Sequence, residues 1–173
     1  MDQVDRILEQ WRAARPDLDA RPMAVIGRLS RAAAAVDARL AETFARHGID
    51  AATFDVLATL VRQGAPHELA PADLAADAMI SSSAVAQRLN RLESLGLITR
   101  HPDPRDGRGK LVRLSAAGRE VIDRALPDHL ATEEAVLEVF TDEERTVLAG
   151  LLRRFVGTGT SPGRPIGARP PRG

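Results

Sequence analysis

Five side chains between Ser82 and Arg91 carry the chemistry of a nucleic-acid reader. Ser82 and Ser83 offer hydroxyls, Gln87 a carboxamide, Arg88 and Arg91 guanidiniums. Hydroxyls and amides pair with base edges, while guanidiniums grip phosphate oxygens. Gln87 is the best base-reading candidate, because its amide can pair bidentately with adenine, and Arg91 suits a phosphate. Their spacing makes these common residue types informative. Within SSSAVAQRLNRLESLGLITR (residues 81–100), Val85, Leu89 and Leu92 recur at i, i+4 and i+7, with Leu95 a turn further on. An apolar stripe therefore runs down one side of a helix and the five polar residues down the other. The plain alternative is a solvated helix face.

The chain beyond the helix argues against that alternative. Gly96 is a helix stop, and Leu97 and Ile98 begin an extended run. Ile98 to His101 and Lys110 to Leu114 alternate loosely around PDPRDGRG, Pro102 to Gly109, which predicts a hairpin. Arg105 and Arg108 near its tip suit a wing that reaches into a minor groove, with Asp106 orienting a guanidinium.

Charge follows the same division. The chain has 24 basic and 24 acidic residues and no net charge. Residues 79–115 nevertheless hold seven basic against three acidic residues, whereas residues 116–156 hold five against nine. Segregation of this kind focuses positive potential on one region and keeps the rest from sticking to polyanions.

Composition bounds the remaining classes. At 173 residues, 44% hydrophobic and 28% charged, the chain reads as one ordinary globular domain with accessory segments. Aromatics are only 3%, so the core must come from Leu, Val, Ile and Ala, which favours helices. No apolar run approaches the roughly 20 residues of a membrane span. The acidic, amphipathic MDQVDRILEQW start is unlike a signal peptide, so a cytoplasmic protein is expected. Cysteine is absent, which removes disulfides, thiolate metal sites and cysteine nucleophiles together. The four histidines, His47, His67, His101 and His129, lack ligand-like spacing, so neither a metal nor another cofactor is expected. With no Gly-rich phosphate loop and no Gly-x-Ser-x-Gly, nothing points to an enzyme.

The flanking segments read as helices. Asp2 to Ala14 places Val4, Ile7, Leu8 and Trp11 on one side, and Met23 to His47 is long and alanine-rich, ended by Gly48. Ala51 to Arg62 carries Phe54, Leu57, Ala58 and Val61, and Pro71 fits the first position of a short helix over residues 72–78. Ser115 opens a helix that Pro127 should kink or break. Thr141 to Glu144 is a capping box for a last helix. The Gly-, Pro- and Arg-rich residues 157–173 should be disordered.

From Ser81 to Ile122, SSSAVAQRLNRLESLGLITRHPDPRDGRGKLVRLSAAGREVI, the chain resembles the MarR family of bacterial winged helix-turn-helix regulators. The resemblance lies in the order of a helix-turn-helix, a wing with Asp106-x-Arg108, and Leu-Ser-x-x-Gly opening the next helix; it extends more loosely over residues 2–156. Gly107 stands where the family commonly has Arg, which implies a weaker phosphate grip and a looser wing tip. The implied fold is mainly α with a small β-hairpin wing: a winged helix-turn-helix lobe (residues 51–115) joined to a helical dimerisation lobe (residues 1–50 and 116–156). The implied function is a homodimeric, sequence-specific DNA-binding regulator, a repressor at a palindromic operator. Its half-sites should lie ~10 bp apart centre to centre.

Trp11, Asp55, Arg62 and Arg88 have ordinary explanations taken singly: a core aromatic, a local cap, a helix-dipole partner and a surface cation. Together they resemble the urate-responsive branch of the same family. That resemblance implies a small planar anion, urate or another planar aromatic acid, held by Trp11 and Arg62, with Arg88 turning toward it and Asp55 repelled. A protein-protein adaptor that binds neither DNA nor ligand is the rival reading. A winged-helix methyltransferase would need a further nucleotide-binding domain, for which this sequence has no room.

Overall fold

The computed structural model describes residues 1–78, 82–104 and 106–159, with side chains throughout except at 82–84, 106–108 and 158–159. The elements are α1 (Gln3–Ala14), α2 (Pro22–Arg46), α3 (Ala51–Arg62), β1 (Glu68–Leu69), α4 (Pro71–Asp77), α5 (Ser82–Ser94), β2 (Ile98–Asp103), β3 (Asp106–Leu114), α6 (Ala116–Leu137) and α7 (Asp142–Gly159). Two compact units divide the chain, one from Met1 to Glu133 and one from Glu134 onward.

Local chemistry explains most boundaries. Asp2 and Asp5 form a reciprocal capping box that starts α1, each carboxylate accepting from the other's backbone N–H at 2.8–2.9 Å. Arg28 of α2 donates to both carboxylates, at 2.8 and 2.6 Å, and so clasps the start of α1 to α2. Asp50 caps α3 by accepting the Thr53 N–H at 2.8 Å. The Thr141–Glu144 box starts α7 as expected.

The core of the first unit is built around α3. Val56, Leu57 and Leu60 are fully buried, and against them pack Leu74 of α4, Val85, Leu89 and Leu92 of α5, Val112 of β3 and Ile122 of α6. Despite the shortage of aromatics, Phe44 and Phe54 stack at 4.6 Å between ring centroids, and the His129 ring lies 4.4 Å from Phe54.

The Leu-Ser-x-x-Gly sequence has a clear structural role. The Ser115 hydroxyl accepts the Gly118 N–H at 2.9 Å and donates to the Gly96 carbonyl at 2.6 Å, capping α6 while tying it to the end of α5. The Gly118 Cα packs against the Leu97 carbonyl so closely that a Cβ would overlap that oxygen. Glycine is therefore required by close approach, not by an unusual φ.

Several expectations are corrected. The hairpin is longer than its composition suggests: Pro102 pairs with Lys110 and Asp103 with Asp106. Proline is tolerated there because β2 is an edge strand in the order β1-β3-β2, where a missing donor leaves no partner unsatisfied. β1, unexpected from sequence, pairs antiparallel with β3 through Glu68↔Arg113 and Leu69↔Val112. α6 continues through Pro127 without a break. Buried Ile122 and Ala125 hold it before the proline, and the His47–Asp128 and Thr43–Thr132 bonds hold it just after. Leu95 falls beyond α5 and is 57% exposed, so the core stripe ends at Leu92. Trp11 leaves the buried side of α1 to Val4 and Leu8 and is itself 39% exposed. Finally, α7 includes Gly157, Thr158 and Gly159, the start of the expected disordered tail, while residues 160–173 lie outside the described residues.

Candidate nucleic-acid interface

α5 is a two-sided rod. Val85, Leu89 and Leu92 are 3%, 1% and 0% exposed, and the burial anchors one side of the helix against α3. With about 100° of rotation per residue, Gln87 projects almost opposite that stripe, and Arg91 well to one side of it. Both are exposed. Side chains able to read bases or grip phosphate are thus carried on a helix whose inner face leaves it little freedom to tilt.

The hairpin is braced to α5 and across its own sheet. Arg100 of β2 donates to the Asn90 carboxamide oxygen at 2.7 Å and lies 3.3 Å from Glu93, so the wing is joined to α5 by two polar contacts. Across the sheet, Glu68 of β1 receives Arg113 of β3 at 2.6 Å and meets His101 of β2 at 3.0 Å. The Arg113 guanidinium, helped by His101, holds the Glu68 carboxyl below its ordinary value against an opposing push from burial. These contacts fix the hairpin relative to α5, as a two-part grip on a duplex requires.

Arg88 behaves differently from Gln87 and Arg91. Its side chain is only 24% exposed, and its guanidinium donates to the outer oxygen of Asp50 at 2.6 Å. One Asp50 oxygen therefore caps α3 while the other holds α5. Burial pushes the Asp50 carboxyl up, but the Thr53 hydroxyl and amide and the Arg88 guanidinium outweigh it and bring the group down to about 2.

Of the DNA-contact candidates, Gln87 and Arg91 lie on the exposed face of α5, and Arg88 on its flank. The side chains of Ser82, Ser83 and Arg108, and all of Arg105, lie outside the described residues. The four ligand candidates lie on three helices, α1, α3 and α5. Trp11 lies on α1, which packs against α2. Asp55 is half-buried on α3. Arg62 ends α3 and donates to the Thr59 hydroxyl and the Asp77 carbonyl, both at 3.0 Å. Arg62 and Arg88 are thus bound at opposite ends of α3, a helix about 18 Å long by the usual rise.

Sequence reasoning missed Asp50, Asn90, Arg100 and Glu68. Only Asp50 left a local signal, an acidic residue three before Thr53 at the head of an apolar run, which is a cap signature. The others act through pairings between segments.

Comparison with known proteins agrees with this geometry. A MarR family model matches residues 47–109, from just after α2 into β3. The HTH-type transcriptional regulator PecS of Dickeya dadantii is 40% identical over 152 residues, covering 88% of this chain and 92% of that protein. The chain belongs to the MarR family. Among solved MarR-family structures, Sco3205 of Streptomyces coelicolor in complex with DNA is similar at a TM-score of 0.75 and 27% identity, covering 84% of this chain and 95% of that one. Bordetella bronchiseptica BpsR, whose DNA binding is regulated by 6-hydroxynicotinic acid, is similar at a TM-score of 0.69 and 26% identity, covering 76% and 92%. The protein is accordingly a DNA-binding transcriptional regulator with a winged helix. No helix among the described residues is long and apolar enough to cross a membrane.

Proposed function

We propose that the protein works as a homodimer that represses transcription from a palindromic operator and is released by a small planar anion. The observation that carries the DNA-reading part is the exposed Gln87 and Arg91 face of α5 above a fully seated apolar stripe, with the braced hairpin beside it. Ser82, Ser83, Arg88, Arg105 and Arg108 complete the proposed contact set, the serines and Gln87 toward bases and the arginines toward backbone and minor groove.

Support for a dimer comes from apolar surface that one chain leaves uncovered. Val25 and Ile26 of α2 are 66% and 49% exposed. On α7, Val147 and Leu151 are 61% and 53% exposed, and a groove of about 300 Å³ lined by Phe140, Glu143, Glu144, Val147, Leu148 and Leu151 runs along it. Apolar surface on this scale marks an association site, and residues 1–50 and 116–156 are accordingly the proposed dimerisation segments around the DNA-reading residues 51–115. A two-fold pair would present two α5 helices to half-sites about one DNA turn apart.

The proposed anion is held by Trp11 and Arg62 and repels Asp55, with Arg88 leaving Asp50 to turn toward it. BpsR, regulated by a planar aromatic acid, supports that ligand class, and urate is the first compound to test. A ligand that favours the DNA-incompetent dimer by about 3 kcal/mol lowers operator occupancy over a hundredfold. The test is footprinting on the upstream region of the protein's own gene, then titration of urate and 6-hydroxynicotinate against the protected duplex. Protection reversed by either acid supports the reading. Protection unchanged at millimolar concentrations of both removes the ligand from it, and absence of protection on any selected duplex removes the operator.

A further inference from the structure

An apolar stripe alone leaves a helix free to roll about its own axis, because Val85, Leu89 and Leu92 make non-directional contacts, and the Asn90 and Glu93 contacts with Arg100 tie α5 to the wing and not to α3. The roll angle decides which side chains meet a base edge, and a rotation of one residue's pitch, about 100°, would exchange Gln87 for its neighbour. A directional bond at the edge of the stripe removes that freedom. Arg88 stands there, next to buried Leu89, and its 2.6 Å contact with Asp50 joins α5 to a residue 38 positions earlier. Asp50 is itself immobilised. Its second oxygen accepts the Thr53 N–H at 2.8 Å, and α3 behind it is locked by fully buried Val56, Leu57 and Leu60.

We propose that Asp50 is a positioning residue for DNA recognition: through Arg88 it sets the roll of α5, so that Gln87 and Arg91 face the duplex while Arg88 makes no phosphate contact of its own. The inference rests on the DNA-reading function proposed above and reassigns one arginine of the contact set. An exposed ion pair of this kind adds little stability, so its consequence lies in geometry. Asp50 and Arg88 act as one unit, and losing either frees the same rotation. A phosphate-binding Arg88 would behave otherwise, since removing Asp50 would release a cation toward the duplex.

The experiment uses the full chain, the duplex that wild-type protein enriches from random sequence, and bulk genomic DNA as the non-specific competitor. Asp50→Asn keeps the helix cap, because asparagine caps as well as aspartate. Arg88→Gln removes the guanidinium, and Arg91→Gln serves as the phosphate-contact control. Asp50→Asn and Arg88→Gln are each expected to weaken the enriched duplex about tenfold, and the double variant no more than either single one. Affinity for bulk DNA and the slope of log affinity against log salt stay at wild-type values, whereas Arg91→Gln makes that slope shallower by about one. Partial unfolding would lower both affinities together, so the specific-to-bulk ratio separates a positioning role from a merely structural one. A shallower slope in Arg88→Gln, unchanged or tighter binding in Asp50→Asn, or multiplying losses in the double variant would each overturn the assignment. If wild-type protein enriches no duplex, the DNA-reading function itself falls, and this assignment with it.

Discussion

Replacing Gly118 with alanine sets two opposed effects against each other. Gly118 is the third residue of α6, and in an unhindered helix alanine would be favoured over glycine by about 1 kcal/mol. Here the added methyl would overlap the Leu97 carbonyl oxygen and come within 2.9 Å of Leu114 Cδ1. The carbonyl cannot withdraw freely, because it accepts the Ser115 N–H at 3.1 Å and Leu97 is itself buried. Relief requires the start of α6 to lift, which strains both the Ser115 cap and its 2.6 Å bond to Gly96. Overpacking of this kind costs about 3 kcal/mol, and a weakened hydrogen bond adds about 1 kcal/mol. After the propensity gain, a net loss of about 3 kcal/mol is expected. For a chain of this length, that lowers the melting temperature by roughly 6–12 °C. Urea unfolding of Gly118→Ala and wild type at one protein concentration measures it, since a dimer's midpoint depends on concentration. A variant as stable as wild type, or more stable, would show that propensity outweighs the clash and would refute the packing account of Leu-Ser-x-x-Gly.

Other consequences follow from the same contacts. Arg100→Ala frees the wing from Asn90 and Glu93 and is expected to weaken specific DNA binding about tenfold with the melting temperature little changed, as read by gel shift and thermal scan. Leu151→Glu places a charge on the exposed face of α7; sedimentation should show single chains, and operator binding should fall with the loss of the second half-site. The Asp50 carboxyl, held at about 2 against an ordinary 3.8, contributes stability that is complete above pH 4 and disappears as pH falls from 3.8 through 2. At full strength that depression is worth ~2.5 kcal/mol, and solvent screening of a half-exposed carboxylate reduces it to about 1 kcal/mol. The stability gap between wild type and Asp50→Asn should therefore close between pH 4 and 2 in urea titrations; a gap that persists at pH 2 contradicts the carboxylate account.

Legibility in the sequence tracked the range of the interaction involved. α3 begins and ends at the residues expected, Ala51 and Arg62, because its apolar spacing and flanking Gly64 are local signals. The α7 capping box and Pro71 at the start of α4 are local in the same way. The polar and apolar faces of α5 were readable because a 3.6-residue period determines them, whereas its end was not, and Leu95 proved exposed. The two-residue β1 has no periodicity to read and exists because β3 offers it a partner. Pro102 and the glycines made the strand ends of the hairpin look like part of its tip, although an edge strand excuses the proline. At the candidate site, the sequence pointed to Gln87, Arg88 and Arg91 as a set. It could not show that Arg88 is engaged by Asp50, since no local pattern encodes a pairing across 38 residues.

The central claim is that two copies present paired α5 helices to one duplex. Hydroxyl-radical footprinting of the full chain on its enriched operator tests it most directly, with Arg91→Ala alongside. Two protected half-sites ~10 bp apart about a two-fold centre are expected, with protection fading in both when Arg91 is removed. A single protected half-site, or an Arg91→Ala footprint identical to wild type, would contradict it.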